Sequence, residues 1–484
     1  MTSQSCLLIL LCSPCTFAQT FTPVIPRAWS DTARQSFELP LVRPEFSPRY
    51  LNEKEYYALP VRPVYRTYPV YTPDKEPPGY WEALQQKDPE ILFHPASLKT
   101  REDWIHAGKL VFEQPSVIVP AALRREEYLE SLRKHPGGIP PSGITRNMVY
   151  VIRKKGVVEF GVESCAECHT RLLPDGTSVP GAPTIEDQGP RSVARMQYRV
   201  AKGMPVEDLI RGRRRLFFAP WASTAEQFDR VTVDEYWQEA AARIPGILIR
   251  HGTGARHPAK VPVLIGLEDL KYLDATGLSR NRGIADVMRY AIVNQGLNGI
   301  SHFGDFQPAA ASPSLSRYAD EQLYALALYL FSLKPPPNPH PVNDQTRRGA
   351  KVFQRAGCAA CHPAPAYTNN KLTPARGFRV PPELRDSEAI LDIVVGTNPA
   401  VAMETRRGTG FYKVPSLRHL WLRSLYGHEG SAASLEEWFD PARLQPNYVP
   451  KGYHFGPGPI EGHAFGLRLK ADDKAALIAF LRTL

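Results

Sequence analysis

Two pentapeptides, Cys165-Ala166-Glu167-Cys168-His169 and Cys358-Ala359-Ala360-Cys361-His362, constrain this chain more than any other feature. Each has the spacing at which two thiols add across the vinyl groups of a porphyrin while the adjacent imidazole ligates its iron. A zinc site or a thioredoxin-like dithiol would account for paired cysteines, but neither calls for a histidine directly after the second one, twice over. The expectation is therefore two covalently bound haem c groups. Cys165 and Cys168 attach one, Cys358 and Cys361 the other, and His169 and His362 are the proximal iron ligands.

The remaining cysteines agree. Of the seven in the chain, Cys6, Cys12 and Cys15 fall in an apolar start followed by small residues. Residues 1–18 read as an export signal with cleavage near Ala18-Gln19, although no Lys or Arg precedes the apolar run; a short anchor is the alternative. The mature protein is then expected in the periplasm or secreted, without disulfides. No later stretch reaches the roughly 18 apolar residues of a membrane helix, so no stable span is expected. A net charge of +10 and a pI near 9.2 raise the question of nucleic acid. The basic residues are scattered, so nucleic acid is not an expected partner; a solvated surface or an acidic electron-transfer partner fits better.

Proline, 47 residues in all, marks the organisation. It is dense over residues 19–96, which read as an extended arm whose many aromatics wrap a surface. Residues 334–345 form a stiff proline-rich linker. On either side lies an internal repeat. Residues 97–333 open with Ala107-Gly108-Lys109-Leu110-Val111-Phe112, and residues 346–484 open with Gly349-Ala350-Lys351-Val352-Phe353. Each then reaches a haem motif and closes on a helical pattern with an acidic first turn, at residues 320–330 and 472–481. The expected fold class is mainly α: two duplicated cytochrome c-type domains with long loops, a small β-hairpin insertion over residues 148–160, and the proline-rich N-terminal arm.

The halves are unequal. About fifty residues separate Phe112 from Cys165 in the first, five separate Phe353 from Cys358 in the second, and another 150 follow His169. So much added chain around one haem implies a built pocket, whereas a plain electron carrier needs only the smaller unit. The candidates for the sixth ligand of the second haem are Met403, His419, His428, His454 and His463. His463 is favoured because Gly462 and nearby Gly466 let backbone come close to the porphyrin. At the first haem His302 is the candidate distal group, with Phe303 and Phe306 making that side apolar; core packing or a loop is the plainer account of these three.

At Tyr412-Lys413-Val414-Pro415-Ser416-Leu417-Arg418, then Tyr426-Gly427-His428-Glu429-Gly430-Ser431 and Leu435-Glu436-Glu437, the chain resembles the bacterial di-haem cytochrome c peroxidase and MauG superfamily. The resemblance implies peroxide or dioxygen binding at the N-terminal haem and a six-coordinate C-terminal haem that stores an electron. Two departures stand out. Arg423-Ser424-Leu425 replaces a Thr-x-Pro that helps bind an inter-haem calcium in that family, which argues against calcium here. Arg355-Ala356-Gly357 stands where some members place a tryptophan before the second haem motif. The aromatic arm, the enlarged first unit and the stretch from Leu435 to Asp440 resemble the rubber-oxygenase branch, whose members are exported di-haem dioxygenases acting on an apolar unsaturated polymer.

The leading expectation is an exported haem oxidoreductase that activates dioxygen or peroxide at the His169 haem. One alternative is a cytochrome c peroxidase in the strict sense, fed by a donor cytochrome or cupredoxin. Another is a non-catalytic di-haem electron carrier. The resemblance to the rubber-oxygenase branch implies an apolar unsaturated substrate.

Overall fold

The structure is a computed structural model, and it describes residues 20–302 and 316–484 apart from 137–138, 140, 186–188, 214–219, 223, 231, 249–253 and 255. The proposed leader, with Cys6, Cys12 and Cys15, lies outside the described residues. The fold is helix-rich with small sheets, and no helix among the described residues is long and apolar enough to cross a membrane.

Five helices frame the interior: α1 (Arg101–Glu113), α2 (Ile284–Ile300), α3 (Asp320–Ser332), α4 (Asp344–Arg355) and α5 (Ala471–Arg482). Local sequence starts several of them. Thr100 and Asp103 cap α1 reciprocally, Asn343 and Thr346 do the same for α4, and Asp472 and Asp473 favour the first turn of α5. α1 packs on α3, and α4 packs on α5.

The two crossings are built alike. A methyl placed on Gly108 would stand 2.0 Å from the carbonyl oxygen of Ala325, and one on Gly349 would stand 2.0 Å from that of Ala476. Glycine is therefore required at both, because the backbones touch where a side chain would be. One turn later Phe112 meets Tyr329 with ring centroids 5.3 Å apart, and Phe353 meets Phe480 at 5.4 Å. The opening and closing segments of both halves thus form helices that cross at matching residues.

The predicted hairpin is larger than expected. Four strands, β1 (Thr67–Tyr71), β2 (Val117–Pro120), β3 (Ile144–Lys154) and β4 (Val157–Val162), form an antiparallel sheet in the order β1-β3-β4-β2. β3 and β4 are the hairpin. Residues on both flanks, including Tyr68 and Tyr71 of the arm, pair with it because a lone two-stranded hairpin is marginal in water.

The proline-rich segment departs from an extended ribbon. It contains short helices at Asp31–Gln35, Glu53–Ala58 and Tyr80–Gln85 besides β1, since helices of five or six residues fit between prolines. Its aromatics enter the main core rather than lying on the surface. Trp29, Phe37 and Tyr56 are almost fully buried in the same cluster as Trp104, Val111 and Leu326. An indole removes about 200 Å² from water, which at 25 cal/mol/Å² stabilises by roughly 5 kcal/mol. Polar ties add direction: the Tyr57 hydroxyl donates to Asp320 at the start of α3, at 3.1 Å.

The helix crossings generate a direct prediction. Gly349→Ala should destabilise the protein by about 1–3 kcal/mol through overpacking, and Gly108→Ala likewise, whereas Gly156→Ala, whose site has nothing within 4 Å, should cost only its backbone strain. Urea denaturation of the three variants measures this.

Candidate functional site

The first motif forms one helical turn, Cys165–Cys168, capped by Ser164, whose side chain accepts from the Glu167 amide. The second begins on a 3-10 turn, Cys358–Ala360, entered through Gly357 at φ 76°. The cysteines line one continuous cavity of about 460 Å³ together with His169 and His362.

Each motif histidine is held in a defined tautomer. His169 Nδ1 is 3.1 Å from the Pro262 carbonyl and His362 Nδ1 is 3.1 Å from that of Tyr367. A carbonyl only accepts, so Nδ1 carries the proton and the lone pair sits on Nε2. Such a bond orients an imidazole for metal binding and raises its basicity.

His463 stands on the cavity with His362 close enough for its charge to be felt. Burial first, then His362, push its pKa down to about 4. The ring is therefore neutral at ordinary pH and available as a ligand, and its Nδ1 is buried without a hydrogen-bond partner. Trp438 and Phe465 flank the ring at 5.3 and 5.4 Å. His463 adopts φ 44°, and its neighbour Gly462 lies against Gly396, where a methyl would stand 2.2 Å from the carbonyl carbon. The close approach expected of Gly462 is thus to backbone of the opposing loop.

The other ligand candidates separate. His428 lines the cavity but stacks on Tyr412 at 4.2 Å and 9°, beside Lys260. Met403, His419 and His454 are not among the lining residues. Phe303 and Phe306 lie outside the described residues, and of His302 the structure gives only the backbone, paired with Arg49 at the end of α2.

Around the first motif the wall is apolar, with Cys165 packed on the cluster containing Leu264, Leu267 and Val287. Polar groups missed by the sequence reading interrupt it. The Tyr290 hydroxyl of α2 donates to Asp274 at 3.1 Å, and Arg407 from the second half pairs with the same carboxylate. All three line the cavity. Behind them Glu38 accepts from the Tyr50 hydroxyl at 2.9 Å, both from the arm.

A second missed signal is a repeat. Lys260-Val261-Pro262 with Leu264 and Leu267 matches Lys413-Val414-Pro415 with Leu417 and Leu420. Pro262 supports His169, and the Pro415 backbone lies against His362. The period is visible in the sequence once the histidine partners are known.

The residues present fit a haem at each motif: two thiols and an oriented imidazole on a shared cavity, with His463 near His362 at the second. No protein-family model matches the chain. No curated protein matches it either. Among solved structures it is similar to Kuenenia stuttgartiensis hydrazine synthase under xenon pressure, at 16% identity and a TM-score of 0.30 over 60% of this chain and 92% of that one. It is also similar to a MauG-like protein associated with microbial copper homeostasis, at 19% identity and a TM-score of 0.30 over 57% of this chain and 88% of that one. A likeness this distant assigns no activity.

Glu38 gives the site a pH signature. Burial raises its pKa from 4.5 to about 7, against the lowering by the Tyr50 hydrogen bond and Arg407; Asp274 and Arg34 also face it, with opposite signs. An acid raised on folding contributes stability that is full below its unfolded value and lost as pH rises through its folded one. Denaturation from about pH 5 to about pH 8 should show the wild type losing stability relative to Glu38→Gln. Parallel curves would refute the assignment.

Proposed function

We propose that this protein is an exported di-haem c-type oxidoreductase, with one haem on Cys165, Cys168 and His169 and the other on Cys358, Cys361 and His362. The first site takes the small oxidant, dioxygen or peroxide. The second would store an electron, held by His362 and His463. A haem would supply a reducible iron able to activate such an oxidant.

The observation that carries this reading is the inequality of the two sites. His463 lines the same cavity as His362, close enough for its charge to be felt, and would help hold the second haem as an electron-transfer centre. The first motif is instead enclosed by apolar residues of the enlarged half and by the Tyr290-Asp274-Arg407 set, so the surroundings are suited to exclude water and hold one polar contact at a bound oxidant. Tyr290 is the group of that set that keeps a hydroxyl at the cavity, and Asp274 and Arg407 position it. The duplication of cytochrome c-type units, the apolar unsaturated substrate and the donor cytochrome or cupredoxin belong to this proposal as well. An apolar wall favours a dioxygenase acting on an apolar compound over a strict peroxidase.

Pyridine spectra should count two haem c per chain, and carbon monoxide or cyanide should bind one of them. Binding should disappear in Cys165→Ser/Cys168→Ser and rise to two equivalents in His463→Ala. Protein that binds neither ligand would be an electron carrier. Oxygen uptake with an unsaturated apolar compound, set against peroxide turnover with reduced cytochrome c, separates the two enzymes.

A further inference from the structure

We propose that Lys260, Lys413 and Arg423 form a cationic seat at the seam between the two haem sites, which receives the carboxylates of the porphyrins and ties the halves together. The inference rests on the reading that both motifs hold haem.

Lys260 and Lys413 occupy matching places in the repeated Lys-Val-Pro segments, and their contacts are reciprocal. Lys260, from the first half, donates to the Leu425 carbonyl of the second at 3.2 Å. Lys413, from the second half, donates to the Tyr272 and Leu273 carbonyls of the first at 3.0 and 2.7 Å. Each acceptor lies about five residues beyond the last leucine of the opposite repeat. Arg423 is close enough to both for its charge to be felt and donates to the Ser416 carbonyl at 2.7 Å, while its Nε is buried with no partner. All three side chains line the cavity shared by the two motifs.

What these cations lack is an anion. Among the described residues none of the three forms an ion pair, and Asp274, the acid nearest Lys413, is taken by Arg407. Burial first, then Arg423 and Lys413, lower Lys260 to about 7; burial lowers Lys413 to about 8 and Arg423 to about 10. Carbonyl dipoles orient buried cations but do not neutralise them, and gathering like charges in a low-dielectric cavity is unfavourable without counter-charge. A haem brings two carboxylates, and two haems attached on either side of this seam bring four.

A small free carboxylate has the same chemistry as a porphyrin carboxylate, and the experiment separates them. Holoprotein variants Lys260→Gln, Lys413→Gln and Arg423→Gln, which keep a donor and lose the charge, are compared with Lys260→Arg and Lys413→Arg in spectroelectrochemical titrations, with melting temperature recorded. Loss of a cation beside a porphyrin carboxylate favours the ferric state. Each Gln variant should lower the ferrous-to-ferric ratio of at least one haem about tenfold at fixed potential, which is 59 mV for a one-electron couple. The Arg variants should restore it. Unchanged potentials in haem-replete Gln variants overturn the proposal. So does a wild-type potential that moves on titration with acetate, an effect lost in the Gln variants, because the seat would then serve a free carboxylate. Pyridine spectra lacking haem would instead overturn the reading of the motifs.

Discussion

Backbone contact at two glycines sets the geometry on which the rest depends. With Gly108 against Ala325 and Gly349 against Ala476, each helix pair approaches as closely as main chain allows. That brings Phe112, Leu326 and Leu330 to the cavity on one side and Phe353, Leu477 and Leu481 on the other. The motif cysteines are anchored on these walls, so their positions follow from the crossings. A bulkier residue at either glycine would shift the wall and the attachment point together.

The seam between the halves has a different physics. Apolar residues cross it, with Leu425 in one cluster with Ile247, Leu422 with Ile265, and Leu372 with Tyr272, and hydrogen bonds from cations to carbonyls cross it as well. Arg171 donates to Leu422, and Arg418 donates to Gly266 and pairs with Asp269, besides the two lysines. Thr276 and Thr409 exchange hydroxyl bonds with the opposing backbones of Arg407 and Thr276. Such contacts are directional, so they fix how the two motifs face each other with more precision than a greasy interface of the same size.

Much of this was legible in the residues because it rests on local rules. The motifs, the repeat of opening and closing helices, and the acidic first turns of the closing segments are short-range signals, and the structure carries helices and crossings there. His463 was singled out from its glycine neighbours; it lines the same cavity as His362, but Gly462 lies against the backbone of Gly396. The four-stranded sheet was only half visible, because Thr67 to Tyr71 alternates poorly around Pro69 and its pairing partner lies far along the chain. Tyr290, Asp274 and Arg407 could not be grouped beforehand. They come from three separated segments, and nothing in a linear sequence announces that a phenol, a carboxylate and a guanidinium will converge. Lys260 and Lys413 share a Lys-Val-Pro signature, but so short a repeat does not by itself announce that its two copies converge on one cavity.

The arm is tied to residues that come much later in the chain. Tyr57 and Asp320 are 263 positions apart, and Ala28 reaches the same carboxylate from 292. Closing so long a loop adds little free energy, since each doubling of length costs about 0.6 kcal/mol, but it fixes an order of events. A chain emerging from its amino end holds Trp29, Phe37 and Tyr56 uncovered until α3 has followed, while α4 and α5 find each other within a much shorter span. During biosynthesis the larger half is therefore the one left sticky for longest, and the one in greater need of a chaperone.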